Sequence, residues 1–360
     1  MSRFAVIIDQ KKPIQLLTAF LQHGTLPNAF LFTGMEGVGK RTTATMFAMA
    51  CNCLSKEPGS FFQGGNQATK GSICYCKACV KIRSGNHPDI IHIKPSGTYI
   101  KIAQIRSLCD ILAMKPYEAR IRVVIISDAR AMNPSAGNAL LKVLEEPPGR
   151  TILILTAIQS SDLLPTIVSR CQHIRFNPIS CRSLEDVLVD KEELDYDDVK
   201  IIATLASGSL SKALSMVEPE NRVSWINRRS WLIKTLSLDM PGQVSTQPIV
   251  SLLAFAAELS KNREILEDSL DVIKSWLRDV IVYKYCPEKI INKDLIDNIQ
   301  HASQKLTARE LIAKIEAIRT AQKGIRAGAN LRLTLEAMVM QLAHEPQLKN
   351  NYGKDCRSKI

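Results

Sequence analysis

Five short, β-favouring apolar runs punctuate the first half of the chain, at residues 30–32, 90–93, 123–126, 152–155 and 173–176. Helix-like stretches separate them, with apolar residues recurring every three or four positions. Apolar strands that alternate with helices predict a parallel sheet covered on both faces, the α/β class. Residues 14–23 have helical spacing that ends near Gly24. Residues 102–115 place Ile102, Ile105, Leu108, Cys109 and Leu112 along one side of a helix. Asn133 can cap the next helix, Pro134 can start it, and Ala136, Leu140 and Leu144 form its apolar line. Pro147 and Pro148 stop it. A shorter helical segment covers residues 162–168.

Beyond Pro178 the strand signal fades. Residues 183–218 read as short helices around Gly208, and residues 225–343 as amphipathic helix, broken at 240–248 and 286–292. The last stretch, 345–360, is polar. The expected layout is an α/β domain over 1–177, a small helical domain over 178–220, a larger helical domain over 221–345 and a flexible tail over 346–360.

Composition narrows the class. Hydrophobic residues at 46% and charged residues at 23% are ordinary for a soluble globular protein. No apolar run reaches the length of a membrane span. The first residues lack the signal-peptide layout, so a cytoplasmic protein is expected. A net charge of +12 suits work near nucleic acid or another polyanion. Aromatics at 5% argue against base stacking as the main task.

The stretch from Ala29 to Thr42 carries the most specific signal. A buried strand runs into Gly34, Gly37, Gly39 and Lys40, at the spacing of a phosphate-binding loop, and a helix follows. Such a loop turns backbone N–H groups toward an anion while the lysine supplies a point charge. The next residue should carry a hydroxyl for Mg²⁺, yet it is Arg41. Guanidinium offers only donors and a positive charge, whereas Mg²⁺ takes oxygen ligands. Thr42 lies one helical step on, displaced by about 1.5 Å and 100°, and is no simple replacement.

A loop of this kind also needs a carboxylate at a neighbouring strand end to hold the metal, usually followed by a second that orients water. The strand over 122–126 leads into Ser127, Asp128 and Ala129. If the first carboxylate belongs at 127 it has become serine; if at 128, the second has become Ala129. One of the two is missing in either register.

Ten cysteines in a cytosolic chain favour thiols or metal over disulfides. Cys74, Cys76 and Cys79, with Cys53 or alternatively Cys51, could form a tetrahedral thiolate site for zinc within a module over about 51–80. Four thiolates leave no open position, so the role would be structural. Arg170, in Ser169-Arg170-Cys171, precedes the last strand and falls near the sheet rim. Taken alone it reads as a surface arginine or an ion-pair partner. His87 and His92 read as structural.

Taken in order, several motifs resemble one family. They are the loop 34–42, the cysteine cluster, His87-Pro88-Asp89, the Ile102, Ile105, Arg106 line, the run from Asn138 to Pro148, and Ser169-Arg170-Cys171. The chain is similar to the bacterial clamp-loader branch of the AAA+ ATPases, densely over about 5–178. The segments 276–279 and 330–336 resemble that family's collar domain. This implies an AAA+ domain, a small helical lid and an all-α collar. It also implies a five-subunit loader for DNA polymerase III that opens a ring-shaped sliding clamp and places it on primed DNA. In that loader tau/gamma subunits hydrolyse ATP, delta opens the clamp, and a further, mostly rigid subunit closes the ring.

That last subunit gives an arginine to a neighbour's ATP site, and Arg170 matches it. Thr156 matches the family's polar sensor. Arg41, the missing carboxylate, Asp9 in place of a usual glycine, and Ser211 in place of a nucleotide-sensing arginine side with the non-hydrolysing member, Lys212 lying a quarter turn away. Two other readings stand beside it: an active tau/gamma-like ATPase using Thr42 and Asp128 for Mg²⁺, and a zinc-containing DNA-binding module supported by the charge.

Overall fold

The computed structural model describes residues 7–54, 74–189, 194–238, 249–263 and 265–343. The interior of the cysteine module (55–73), the expected break at 240–248 and the polar tail at 345–360 lie outside the described residues. The chain forms two compact units, Met1–Ser215 and Met216–Ile360. Most of the expected lid falls within the first.

Strands β1 (Ala29–Thr33), β2 (Ile90–Ile93), β3 (Arg122–Ile126), β4 (Thr151–Ala157) and β5 (Gln172–Arg175) form one parallel sheet in the order β2-β3-β4-β1-β5. This is the expected five-stranded parallel sheet. Its two faces follow from the two-residue period of a strand. Phe30, Phe32, Val123, Ile125, Ile152 and Ile154 point to one face, where helices α1 (Lys11–His23), α2 (Lys40–Asn52) and α3 (Lys77–Ser84) cover them. Leu31, Val124, Ile126, Leu153 and Leu155 point to the other, under α4 (Ile102–Leu112), α5 (Pro134–Glu145) and α6 (Pro165–Val168). Phe30 meets Phe20 and Phe47 edge-on, with ring centres at 5.6 and 5.4 Å.

The local signals act as their chemistry requires. Gly24 ends α1 in the left-handed conformation at φ +70°. Asn133 caps α5 by accepting from the Ala136 N–H at 2.8 Å, with Pro134 in the first turn. Two expected helices are shorter than their patterns. Pro165 pushes Leu164 into an extended conformation (ψ 132°), so the segment at 162–168 becomes a 3₁₀ turn, Ser160–Asp162, and the single-turn α6. Helix α4 stops at Leu112 instead of 115 because a buried ion pair claims the chain beyond it. Arg122, paired with Asp89 at 3.3 Å, donates to the carbonyls of Ile111, Met114 and Lys115. Asp89 in turn accepts from the N–H groups of Tyr117, Glu118 and Ala119, each at 2.8 Å.

Helices α7 (Cys181–Val189), α8 (Tyr196–Leu205) and α9 (Leu210–Val217) follow β5. The second unit contains α10 (Pro219–Leu238), α11 (Ile249–Ser260), α12 (Leu266–Tyr283), α13 (Ile296–Lys305), α14 (Ala308–Arg326) and α15 (Leu331–Ala343). Its largest fully buried side chain is Trp276. Buried Asp279 accepts from the N–H groups of Ile291 and Asn292 and pairs with Arg278, fixing the connection after α12. No helix among the described residues is long and apolar enough to cross a membrane.

Candidate functional site

The glycine loop leaves β1 at Gly34, whose N–H still donates to the Ile158 carbonyl beyond β4 at 2.9 Å. Gly39 then starts α2 in the left-handed region at φ +95°. Lys40 folds back over the loop and donates to the carbonyls of Gly34 and Met35 at 2.5 and 2.7 Å. Burial lowers its pKa, and Glu36 and Asp128 only partly restore the ammonium. Thr43, not Thr42, turns inward and donates to the Gly39 carbonyl at 2.9 Å. Arg41 and Thr42 are both exposed. Arg41 stands close enough to help depress the half-buried His92, an effect second to that ring's own burial.

At the end of β3, Ser127 keeps the ladder going by donating its N–H to the Ile93 carbonyl at 2.9 Å. Asp128 leaves the ladder in the left-handed conformation, φ 53°, and its N–H donates to the Thr156 hydroxyl at 3.1 Å. The structure thus joins the proposed sensor to the strand-end acid. The Asp128 carboxylate is engaged by Arg130 at 2.8 Å, and Arg130 reaches on to Glu36 of the loop at 3.1 Å. Sequence reasoning missed Arg130. The signal available was an arginine two residues after the strand-end acid, a spacing that carries no motif.

The segment expected to form the lid packs against the loop. The Leu210 N–H donates to the Gly37 carbonyl at 3.0 Å. A Cβ added at Gly37 would come within 1.9 Å of the Ser209 hydroxyl and 3.2 Å of the Ser211 Cβ. Ser211 therefore sits at the loop with a short hydroxyl side chain where the resemblance has a sensing arginine. Asp9 adopts φ 56° and accepts from the Ser180 N–H and the Ser183 hydroxyl at 2.8 and 2.9 Å. Its burial is outweighed by these hydrogen bonds, and its pKa is lowered. In this chain the residue ties the N-terminal segment to the start of α7.

Arg170 lies just past α6. Its Nη2 meets Glu145, the last residue of α5, at 2.8 Å, and its Nη1 donates to the Thr166 carbonyl at 3.1 Å. Cys171 beside it packs toward the core, and burial pushes its thiol up to about 11.

The cysteine cluster resolves one alternative. Cys53, Cys74, Cys76 and Cys79 bring their sulfur atoms within 4.8 Å of one another, a donor set that fits a tetrahedral thiolate centre. Cys51 does not join them; it packs in the core under the sheet, where burial pushes its thiol up to about 12. Helix periodicity accounts for the difference, since Cys51 faces inward on α2 while Cys53 follows its end. Burial disfavours the Cys76 thiolate, but the N–H groups of Leu54 and Cys79 and the thiols of Cys79 and Cys74 outweigh it, lowering its pKa to about 6. A thiolate at neutral pH is the form that binds metal.

Two family models match the chain, described as DNA polymerase III, delta subunit, over residues 9–180 and DNA polymerase III, delta subunit, C terminal, over residues 224–344. Together they span well over half of it. The chain belongs to the DNA polymerase III delta-subunit family. Within the family it is 28% identical to DNA polymerase III subunit delta′ of Bacillus subtilis over 334 residues, covering 92% of this chain and 96% of that protein. Subunit delta′ of Pseudomonas aeruginosa is 28% identical over 326 residues, 89% of this chain and 92% of that one. Subunit tau of Bacillus subtilis is 27% identical over 361 residues, 94% of this chain but 61% of its own length.

Proposed function

We propose that this chain is a delta-prime-type subunit of the DNA polymerase III clamp loader, which helps place the sliding clamp on primed DNA. It acts in the cytoplasm as one member of a hetero-pentamer with tau/gamma and delta subunits, and reaches the clamp and the DNA through that assembly. It hydrolyses no ATP itself and gives Arg170 to the ATP site of a neighbour. The observation that carries this is the state of the loop's metal side. Arg41 stands where a hydroxyl should bind Mg²⁺, Thr42 faces solvent, and the one retained acid, Asp128, is held by Arg130. The glycines 34, 37 and 39 and Lys40 preserve the scaffold, while Ser209 and Ser211 of the lid sit against it.

Arg170 suits the donor role because its fork stays charged and meets phosphate oxygens in pairs. An arginine supplied in trans stabilises charge that builds on the γ-phosphate during transfer. The four clustered thiols would hold a structural zinc that fastens the end of α2 to the start of α3, with no chemistry beyond that.

The alternative, an active tau/gamma-like ATPase, draws support from the retained Lys40 and the similarity to tau. Steady-state ATP turnover by the isolated chain separates the two. No turnover above a Lys40→Ala control is expected; Lys40-dependent turnover at motor-like rates would reject the proposal.

A further inference from the structure

The Arg170 guanidinium is not free at the rim of the sheet. Its two terminal nitrogens are both engaged within the chain, Nη2 by Glu145 at 2.8 Å and Nη1 by the Thr166 carbonyl at 3.1 Å. Those are the nitrogens that a phosphate takes as a bidentate pair. Glu145 ends α5, where the helix dipole already disfavours a negative charge, so a cation beside it is favoured. Its backbone is fixed there, because the following Glu146 N–H donates to the Lys142 carbonyl at 3.1 Å and two prolines come next.

We infer that Glu145 is a positioning residue that competes with the neighbour's γ-phosphate for Arg170. It parks the arginine while that site is empty and takes it back after phosphate leaves. The inference rests on the arginine-donor reading above. Both side chains of the pair are more than a third exposed, at 37% and 51%. Exposed pairs of this kind are weak, so a phosphate that offers two charged oxygens displaces Glu145 readily. Glu145 therefore tunes the donation and does not lock it. A purely structural pair would behave in the opposite sense, since removing it would loosen Arg170 and slow the reaction.

The test uses the complete chain assembled with its tau/gamma-type and delta-type partners, with ATP turnover measured at subsaturating ATP. Glu145→Gln keeps the size and the hydrogen-bonding oxygen of an exposed side chain. It should raise kcat/KM by up to about fivefold at the site this chain serves, the range an exposed ion pair can carry. The gain should vanish in an Arg170→Ala background. If Arg170→Ala lowers kcat/KM but Glu145→Gln leaves it unchanged or lowers it, competition is overturned while the arginine-donor reading stands. If Arg170→Ala changes nothing, both are overturned.

Discussion

Substituting Gly37 by alanine tests whether the lid is truly seated on the glycine loop. Gly37 adopts φ +79°, and its added Cβ would lie 1.9 Å from the Ser209 hydroxyl and 3.1 Å from the Ser209 Cβ. Ser209 is buried, and its Cβ stays tight against the added atom even if the hydroxyl rotates away. Left-handed backbone costs a non-glycine residue about 1–2 kcal/mol. Overpacking of a well-filled site adds about 1–3 kcal/mol. Gly39→Ala is the matched control, because φ is +95° there but nothing lies within 4 Å of the added atom. It carries the backbone cost alone.

All three tryptophans, Trp225, Trp231 and Trp276, lie in the second unit, so their fluorescence does not report on the lid. Hydrogen exchange at the Leu210 amide does, since that N–H is bonded to the Gly37 carbonyl. Gly37→Ala should speed this exchange by about tenfold or more over Gly39→Ala, 1.4 kcal/mol being one decade. Adding Ser209→Ala, which removes the clashing hydroxyl, should restore part of the protection. Equal exchange in the two glycine variants would refute the packing of the lid on the loop.

The purified chain should carry about one zinc ion, lost when Cys76 and Cys79 are changed to serine and retained in Cys51→Ser; metal analysis finding none in the parent chain would reject the thiolate centre. Asp89→Asn leaves Arg122 buried without its anionic partner and should cost about 3 kcal/mol or more at neutral pH. Burial opposes the Asp89 carboxylate, but the N–H groups of Glu118, Tyr117 and Ala119 and the Arg122 guanidinium hold its pKa below the ordinary range. Its contribution is therefore complete above that range and fades as pH falls through the depressed value. Exchange protection of the amides at 117–119 should accordingly converge between parent and variant in acid; a constant gap across pH would contradict this.

Much of the fold was legible because strand and helix periods are local. The five strands, the Asn133 cap and the Gly24 stop each depend on residues within a few positions. Helix α4 ends three residues early for a non-local reason, the capture by Arg122 of carbonyls in its last turn and just beyond, and no nearby residue announces that. The loop and the cysteine cluster were visible as spacings, and the helix face even distinguishes Cys51 from Cys53 once α2 is in place. The contacts of Arg130, Ser209 and Glu145 were not, although Glu145 falls inside the 138–148 run, because each reaches across a sequence gap. Arg130 joins Asp128 to Glu36, Ser209 meets a loop far upstream, and Glu145 reaches Arg170 from another helix.

The decisive comparison is ATP turnover by the assembled loader carrying either Lys40→Ala or Arg170→Ala in this chain alone. A loop that kept its backbone but lost its metal oxygens should tolerate Lys40→Ala, while Arg170→Ala should slow turnover at the neighbouring site. Loss of turnover with Lys40→Ala, matched by indifference to Arg170→Ala, would place the chemistry in this chain's own pocket and contradict the proposed division of labour.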